Sequence, residues 1–551
     1  MLVIPAFKAC MQSALIRANI KPPVELVVAN LDSMSKEKLL KLNRTQNAVR
    51  NMAFGLVNKI VTLVCPFIIR TLIIKILGMQ YAGLDGLFVS ILEVLNLSEL
   101  GLSSAIVFCM YKPIARGDDD SICALLRLFR KMYLWIGSFV LIIGIAIMPF
   151  LKYLIRDTYP SDINLYILYF IYLINSCVSY FFMGYRSAIL SAYQRMDVIQ
   201  NVSTIIKATM YVVQIIILTI CRNFYVYAFM LPLFTILINL LTAYESKCLF
   251  PQYECRGTVS SIEKKDLKEK VSGLMITKLC SITRNSFDSI FISAFIGLTI
   301  AAIYTNYYFI MKSIIAVLGI IIQAVLAGVG NSIETESIDQ NYNDLKRFNF
   351  MYLWISGVCT VCLLCLYQPF MVLWMGQDNL LPISSVILFC MYFYLLKMGD
   401  MQSVYYNAAG LWWHYRKYTI MEAILNLILN FLFVQKWGLN GIIAGTLISL
   451  FLINFLCCER IVFKYYFNNG KTLEFYLQQI KYAITTIAMC IIIYLVCNGI
   501  EYICGVGSTI IIFIVRVTIC VSLPNLIYYF AYKNTPEYKS AYEWLRNKIR
   551  K

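Results

Sequence analysis

Long uninterrupted apolar runs limit what this chain can fold into. A stretch such as Val140-Leu-Ile-Ile-Gly-Ile-Ala-Ile147 has no polar residue to turn toward water. A helix needs ~20 such residues to cross a bilayer. Inside lipid, every backbone N–H and C=O must be satisfied within the spanning structure. Fourteen stretches meet the length: about 52–76, 82–108, 132–151, 164–185, 198–221, 224–244, 272–296, 300–328, 351–374, 381–406, 418–435, 440–459, 482–500 and 507–531. They are continuous and lack the two-residue alternation of a β-barrel strand. The expected fold is an all-α polytopic membrane protein of about 14 transmembrane helices. Composition agrees, with 60% hydrophobic and 14% charged residues, against about 45–50% and about 25% in soluble domains. A secreted or cytosolic enzyme, a nucleic-acid-binding domain and a disordered chain are excluded.

The charge has a topological reading. Lys and Arg number 48, Asp and Glu 30, for a net +18. An even number of spans puts both termini on one side. Thirty-five of the 48 bases then fall in the termini and the loops of that side. Only Lys152, Arg156, Arg222 and Lys436 fall in the opposite loops. By the positive-inside rule the termini are cytoplasmic. The division expected is a cytoplasmic segment 1–51, a first lobe 52–244, a cytoplasmic linker 245–271, a second lobe 272–459, two further helices within 482–531 and a basic tail 532–551. Residues 1–33 read as an upstream extension or a misassigned start, since Met34 could begin the chain and Pro22-Pro23 interrupts the segment.

Several chemistries lack their residues. The pair Gly470-Lys471 has no upstream glycine of a phosphate-binding loop, which argues against an ATP-driven pump. His414 is the single histidine, so a zinc site built on histidine is excluded. The 19 cysteines lie mostly in spans, and Cys359, Cys362 and Cys365 read as small hydrophobes rather than redox pairs. No catalytic or metal site is expected. The short loops opposite the termini disfavour a membrane glycan polymerase or glycosyltransferase. A carrier or a channel remains.

Nine bases lie within or at the ends of spans: Lys59, Arg70, Lys75, Lys207, Lys278, Arg284, Lys312, Lys397 and Arg516. Lys75, Lys397 and Arg516 could each reach an interface. An ionisable group deep in a span is costly and faces a cavity or a partner. In the second span Asp85, Glu93, Asn96 and Glu99 share one helical face. In the seventh, Lys278, Arg284 and Asp288 accompany Ser281, Asn285 and Ser289, and Arg284 can pair with Asp288 four residues on. Lys59 and Arg70 share a face of the first span, with Pro66 between them as a kink. The plainer reading is that these groups tie helices together. Glu422, near a helix start, reads as solvated or as favouring the helix dipole.

The second half repeats the first. Ile76-Leu-Gly-Met-Gln-Tyr-Ala82 aligns with Phe295-Ile-Gly-Leu-Thr-Ile-Ala301, an offset of 219 residues. The same offset places Lys59 on Lys278 and Glu93 on Lys312. Six spans separate the units, so they are parallel repeats about an axis along the membrane normal, as in a two-lobed rocking carrier.

Three segments carry a family resemblance. Asn43-Arg-Thr-Gln-Asn-Ala-Val-Arg-Asn51 is the first. Gly83-Leu-Asp-Gly-Leu-Phe-Val-Ser-Ile-Leu92 with Leu97-Ser-Glu-Leu-Gly-Leu102 is the second. Asp288-Ser-Ile-Phe-Ile-Ser293 with Ile296-Gly297 and Tyr304-Thr-Asn-Tyr307 is the third. Over about 43–531 the chain resembles the Wzx-type polysaccharide flippases of the MOP exporter superfamily, whose relatives are the MATE antiporters and the MurJ lipid II flippases. The resemblance implies two six-helix lobes plus two C-terminal helices. It implies translocation of an undecaprenyl-pyrophosphate-linked oligosaccharide to the outer leaflet of a bacterial cytoplasmic membrane, with a polysaccharide polymerase and chain-length proteins as possible partners. Lys59, Arg70, Lys278, Arg284 and Lys312 are then candidates for the pyrophosphate. Asp85, Glu93, Glu99 and Asp288 are candidates for cavity acids that couple transport to H⁺, Na⁺ or the membrane potential. A MurJ-like lipid II flippase and a MATE-like drug antiporter are the alternatives.

Overall fold

The computed structural model describes residues 44–96, 102–156, 159–259, 286–467, 469–504 and 509–549. Segment 1–33, Lys278, Arg284 and Glu99 lie outside them. The described residues are helical and include no strand. The first half runs α1 (Arg44–Ile76), α2 (Met79–Leu95), α3 (Leu102–Arg116), α4 (Asp119–Ile147), α5 (Leu165–Phe181), α6 (Ser187–Ala192), α7 (Met196–Ile216) and α8 (Phe224–Leu249). The second half runs α9 (Ser286–Phe295), α10 (Leu298–Thr335), α11 (Ile338–Met375), α12 (Ile383–Met398), α13 (Asp400–Ala408) and α14 (Trp412–Ser449). Beyond α14 the chain stays helical to Phe467, with a π-helical turn over Leu450–Cys458. Then come α15 (Thr472–Cys504), α16 (Thr509–Tyr532) and α17 (Pro536–Ile549).

Ten helices among the described residues are long and apolar enough to cross a membrane. An eleventh is added if α5 and α6, bent by 48°, form one span. The fourteen expected stretches are compatible with this. Gly438 (φ 53, ψ −128) breaks α14 into two limbs, which carry the expected spans 418–435 and 440–459.

The helix ends differ from the sequence reading in informative ways. The expected connections 109–131 and 329–350 are largely helix. Asp118 caps α4, accepting from the N–H and the hydroxyl of Ser121 at 3.0 and 2.6 Å. Ser337 caps α11, and only Glu336 and Ser337 separate it from α10. The 38 residues of α11 rise about 57 Å, against a hydrocarbon core of about 30 Å. Charged turns outside the bilayer thus continue the helix, because a cap satisfies its free N–H groups. The expected second span is not one described helix, since α2 closes on Asn96 as its C-cap. The expected tenth span breaks at Gly399, between α12 and α13.

The repeat is visible in the backbone. Gly78 (φ 117) and Gly297 (φ 140) occupy the left-handed region ahead of α2 and α10. Each donates its N–H to the residue five back, Ile73 at 3.0 Å and Ile292 at 2.9 Å. A side chain at such φ is strained, which is why glycine stands at both positions. The first half has its own core around Phe88, Phe129, Tyr169 and Leu173. The second half packs around Tyr307, Phe389, Phe393 and Tyr405. A third cluster, with Phe350, Met489, Cys520 and Tyr528, seats α15 and α16 on α11. It includes the Cys365, Cys497 and Cys520 thiols, whose sulfurs all lie within 4.8 Å of one another.

Candidate functional site at the lobe interface

The two halves meet along α2 and α10. A Cβ on Gly83 would stand 2.5 Å from the Leu298 carbonyl oxygen, so these backbones touch closely. One Cβ on Gly86 would be 3.4 Å from the Thr305 hydroxyl. Two turns further along, Lys312 pairs with Glu93 at 3.6 Å. Residues 86 and 305 are equivalents in the repeat, and so are 93 and 312. Equivalent positions that meet at two depths lie beside the axis relating the halves. That axis therefore runs along α2 and α10, as parallel repeats require.

A set of further contacts between the halves gathers at the end of the interface where α2 begins. Trp374 donates to the Thr71 hydroxyl at 2.6 Å and stacks on Phe67 with ring centroids 4.2 Å apart. The Arg156 N–H donates to the Ser293 carbonyl at 3.2 Å, and its guanidinium to that of Phe295. The Ser293 hydroxyl donates to Leu154 O at 2.8 Å. About 21 Å deeper along α2 stands Glu93, where Ser286 donates to it at 3.2 Å. There the side chains of Glu93 and Lys312 are 44% and 60% exposed. Among the described residues the halves are joined most closely at the end of the interface away from the chain's N-terminus.

Arg70 lies on this joined part. Its Nε donates to Asn306 Oδ1 across the interface. It also interacts electrostatically with Asp85 and Tyr227. Asp85 in turn accepts from the Tyr172 hydroxyl at 2.5 Å. One Arg70 nitrogen, Nη2, and the Asn306 Nδ2 are buried donors with no acceptor among the described residues. Two such donors side by side, one on a guanidinium, present a site for anionic oxygens. Lys59 sits three turns nearer the chain's N-terminus and makes no ion pair among the described residues.

A second polar centre lies inside the second half. Asp288 is buried on α9 and accepts from Asn430 Nδ2 at 2.6 Å, from Thr446 at 3.2 Å and from Tyr304 at 3.2 Å. Asn426 donates to Thr446 at 2.9 Å. The Asn430 Oδ1 has no donor among the described residues. It points at Gly445, where a Cβ would stand 2.6 Å away. The expected pairing of Asp288 with Arg284 falls outside the described residues.

The structure thus brings Arg70 together with Asp85, and Glu93 with Lys312. Asp288 accepts hydrogen bonds from the hydroxyl and amide groups of Tyr304, Thr446 and Asn430. Three sequence expectations are corrected. Glu422 is buried rather than solvated, because it shares the inward stripe of α14 with Thr419, Asn426 and Asn430. Lys397 does not reach an interface; it is buried and pairs with Asp400 at 2.6 Å. Arg516 is buried and donates to the Cys497 carbonyl at 3.4 Å. Sequence reasoning missed Asn306, Arg156 and Asn430. Asn306 stands one residue past the Thr305 that meets Gly86, so the repeat held a clue to it.

Solved structures share this fold. A MurJ lipid II flippase in an inward closed conformation matches with a TM-score of 0.64 at 16% identity, over 88% of this chain and 99% of that one. A multidrug-resistance MATE transporter of the MOP superfamily, inward-facing, matches at 0.59 and 14% identity, over 80% and 99%. A MOP superfamily transporter from Pyrococcus furiosus matches at 0.52 and 14%, over 77% and 96%. No protein-family model and no curated protein sequence matches the chain. At these identities the likeness is one of architecture, that of the MOP transporters and flippases.

Proposed function

We propose that the chain is a flippase that moves undecaprenyl-pyrophosphate-linked oligosaccharide repeat units from the cytoplasmic to the outer leaflet of a bacterial cytoplasmic membrane, for surface polysaccharide synthesis. The observation that carries this reading is the pair of unused donors on Arg70 and Asn306 at the interface of the halves. A pyrophosphate brings the acceptor oxygens those donors lack together with a charge opposite to that of Arg70, whereas the Arg70 guanidinium repels a cationic drug. If the termini are cytoplasmic, the joined end of the interface faces outside, which suits loading from the cytoplasm. Transport follows by alternating access. The outer contacts part, the cytoplasmic ends meet, and the anion stays on Arg70 and Asn306, shielded from lipid. A lipid II flippase is the second reading, favoured by the wider coverage of the MurJ match, and it asks the same of these residues.

The Asp288 centre reads as the coupling-ion site. Its carboxylate, the free Asn430 Oδ1 and the Thr446 hydroxyl are hard oxygen donors of the kind Na⁺ takes, and the carboxylate alone could carry a proton. The site shares α14 with the body of the second half, so its occupancy could bias the rocking.

The test is translocation of a fluorescent lipid-linked oligosaccharide in proteoliposomes. Arg70→Ala is expected to slow it at least tenfold, about 1.4 kcal/mol in the transport barrier. Unaltered transport by Arg70→Ala and by the Lys59→Ala/Lys278→Ala/Arg284→Ala variant would remove the cationic cavity. Asp288→Asn is expected to abolish dependence on the ion gradient.

A further inference from the structure

Away from the interface, the start of α14 and the end of its helical continuation enclose a cavity of about 560 Å³. His414, Arg416, Lys417, Arg460 and Lys464 line it, and no Asp or Glu does. Three of the cations rest on aromatic rings: Lys417 over Tyr418 at 4.8 Å, Lys464 over Tyr465 at 5.4 Å and Arg460 over Tyr476 at 6.0 Å. None of these three makes an ion pair among the described residues. His414 stacks on Tyr465 with centroids 4.1 Å apart.

The first half supplies an internal control. A left-handed turn at Gln194 (φ 57) precedes α7, as one at Gly410 (φ 67) precedes α14. In the first half the following turn carries Asp197, which pairs with Arg195 at 3.1 Å and Arg50 at 3.2 Å. The corresponding turn of α14 reads Trp-Trp-His-Tyr-Arg-Lys over 412–417 and has no acid. Its next carboxylate, Glu422, is buried and does not line the pocket. Asp197 answers the positive charge of that turn in the first half, whereas Lys417, Arg460 and Lys464 make no ion pair among the described residues, beside a helix N-terminus whose dipole also favours an anion.

The same helix continues from this pocket into an apolar groove of about 840 Å³. Leu447, Ile448, Phe451 and Leu452 line the groove, and Leu456, Cys457, Arg460 and Lys464 line the pocket. Helix α15 flanks both, with Thr472 at the pocket and Ile487 and Ile491 at the groove. From Leu452 to Arg460 is about 12 Å of helix. No residue of the first half lines either cavity, so both stand clear of the path between the lobes.

We propose that this pocket holds the phosphate headgroup of an anionic membrane phospholipid whose acyl chain lies in the adjoining groove. The occupant is a resident lipid rather than the transported one, because the site lies off the lobe interface. It clamps the start of α14, the continuation beyond Cys458 and α15 together. It thereby steadies the helix that carries Asn426 and Asn430. The proposal does not depend on which substrate the lobes carry.

The experiment uses the purified full chain, with lipid retention read by native mass spectrometry and melting followed with added phosphatidylglycerol or phosphatidylcholine. Wild type is expected to retain phosphatidylglycerol and to melt higher with it. Arg416→Gln/Arg460→Gln/Lys464→Gln is expected to bind it roughly tenfold less tightly or weaker. A control, Lys112→Gln/Arg116→Gln in a pocket that Asp118 and Asp120 also line, is expected to behave as wild type. Ile448→Trp/Leu452→Trp fills the groove without touching a charge and is expected to lose the lipid as well. Equal retention by the triple variant, or equal loss by the control, overturns the site. Full stabilisation by inorganic phosphate alone overturns the lipid. Displacement by one equivalent of polyprenyl diphosphate makes it a loading site for the substrate and overturns the resident-lipid assignment. Because the readout is retention and melting, failure here leaves the transport proposal standing.

Discussion

At the scale of single residues, the buried polar groups divide into satisfied and unsatisfied ones, and the division predicts their mutants. Asp288 holds three neighbours by hydrogen bonds. Asp288→Ala leaves Asn430, Thr446 and Tyr304 without their acceptor, and each buried group orphaned in this way costs about 1–3 kcal/mol. Loss of the buried carboxylate offsets part of that. A net destabilisation of about 2 kcal/mol is expected, read as a lower melting temperature, with Asp288→Asn retaining most of the stability. Arg70 is the contrasting case, with one hydrogen bond made and one nitrogen unused. Arg70→Lys keeps the charge but loses the planar fork that serves Asn306 and an anion at once. It is expected to leave the melting temperature within a few degrees of wild type while slowing transport severalfold. Equal transport by Arg70→Lys would show that only charge matters there.

At the scale of elements, the close approach of α2 to α10 sets what each glycine tolerates. Gly83→Ala places a Cβ against backbone, which cannot move aside, whereas Gly86→Ala meets the side chain of Thr305 at an ordinary distance. The first is expected to lower stability and loosen the contacts around Trp374 and Arg156, the second to be near neutral, as measured by melting and by labelling at that end of the interface. The Glu93–Lys312 pair is largely exposed, so its stability contribution is about 0–1 kcal/mol. The role expected of it is to orient the halves. Glu93→Lys and Lys312→Glu are each expected to slow transport, and the double reversal to restore it. The cap of α4 adds a pH dependence. Bonds from Ser121 hold the Asp118 carboxyl below its usual range. The cap's contribution is therefore present above the ordinary Asp pKa, near 3.9, and is lost as pH falls through the lowered value. Asp118→Asn, which caps without a charge, is expected to remove that acid sensitivity. Periodicity and length made these elements legible, and an offset of 219 residues made their pairing legible. Helix extensions beyond the bilayer were not, since Asp118 and Ser337 reveal themselves as caps only when the turn they close is seen. Glu422 looked solvated because nothing in one helix says which side its neighbours cover. The Asp288 centre was half legible: an acid in a span announces itself, but Asn430 and Thr446 join it only after α14 folds back at Gly438.

At the scale of the whole molecule, two similar halves about one axis have two ways to close, and this structure joins them most closely at one end. The joined end is held by unlike things: the Trp374–Phe67 stack with its bond to Thr71, the Arg156 bonds to the end of α9, and the backbone contact of Gly83 with Leu298. Ring stacking of this kind is worth about 0.5–1.5 kcal/mol beyond burial, and a single hydrogen bond about 0.5–1.5. The seal is thus a few kcal/mol, within reach of the binding energy of an anion and an ion together. A seal that weak can be broken in every cycle, as alternating access demands. The prediction follows directly. A photo-crosslinking residue at position 374 is expected to capture α1 near Phe67 and Thr71 in the resting protein. The yield is expected to fall by more than half once lipid-linked oligosaccharide and an ion gradient set the cycle running. Arg156→Ala and Thr71→Ala, which loosen the same seal without touching Arg70 or Asp288, are expected to lower the resting yield in the same direction. A yield that stays constant while substrate crosses would mean that the halves do not part at this end, and the rocking mechanism would fall with it.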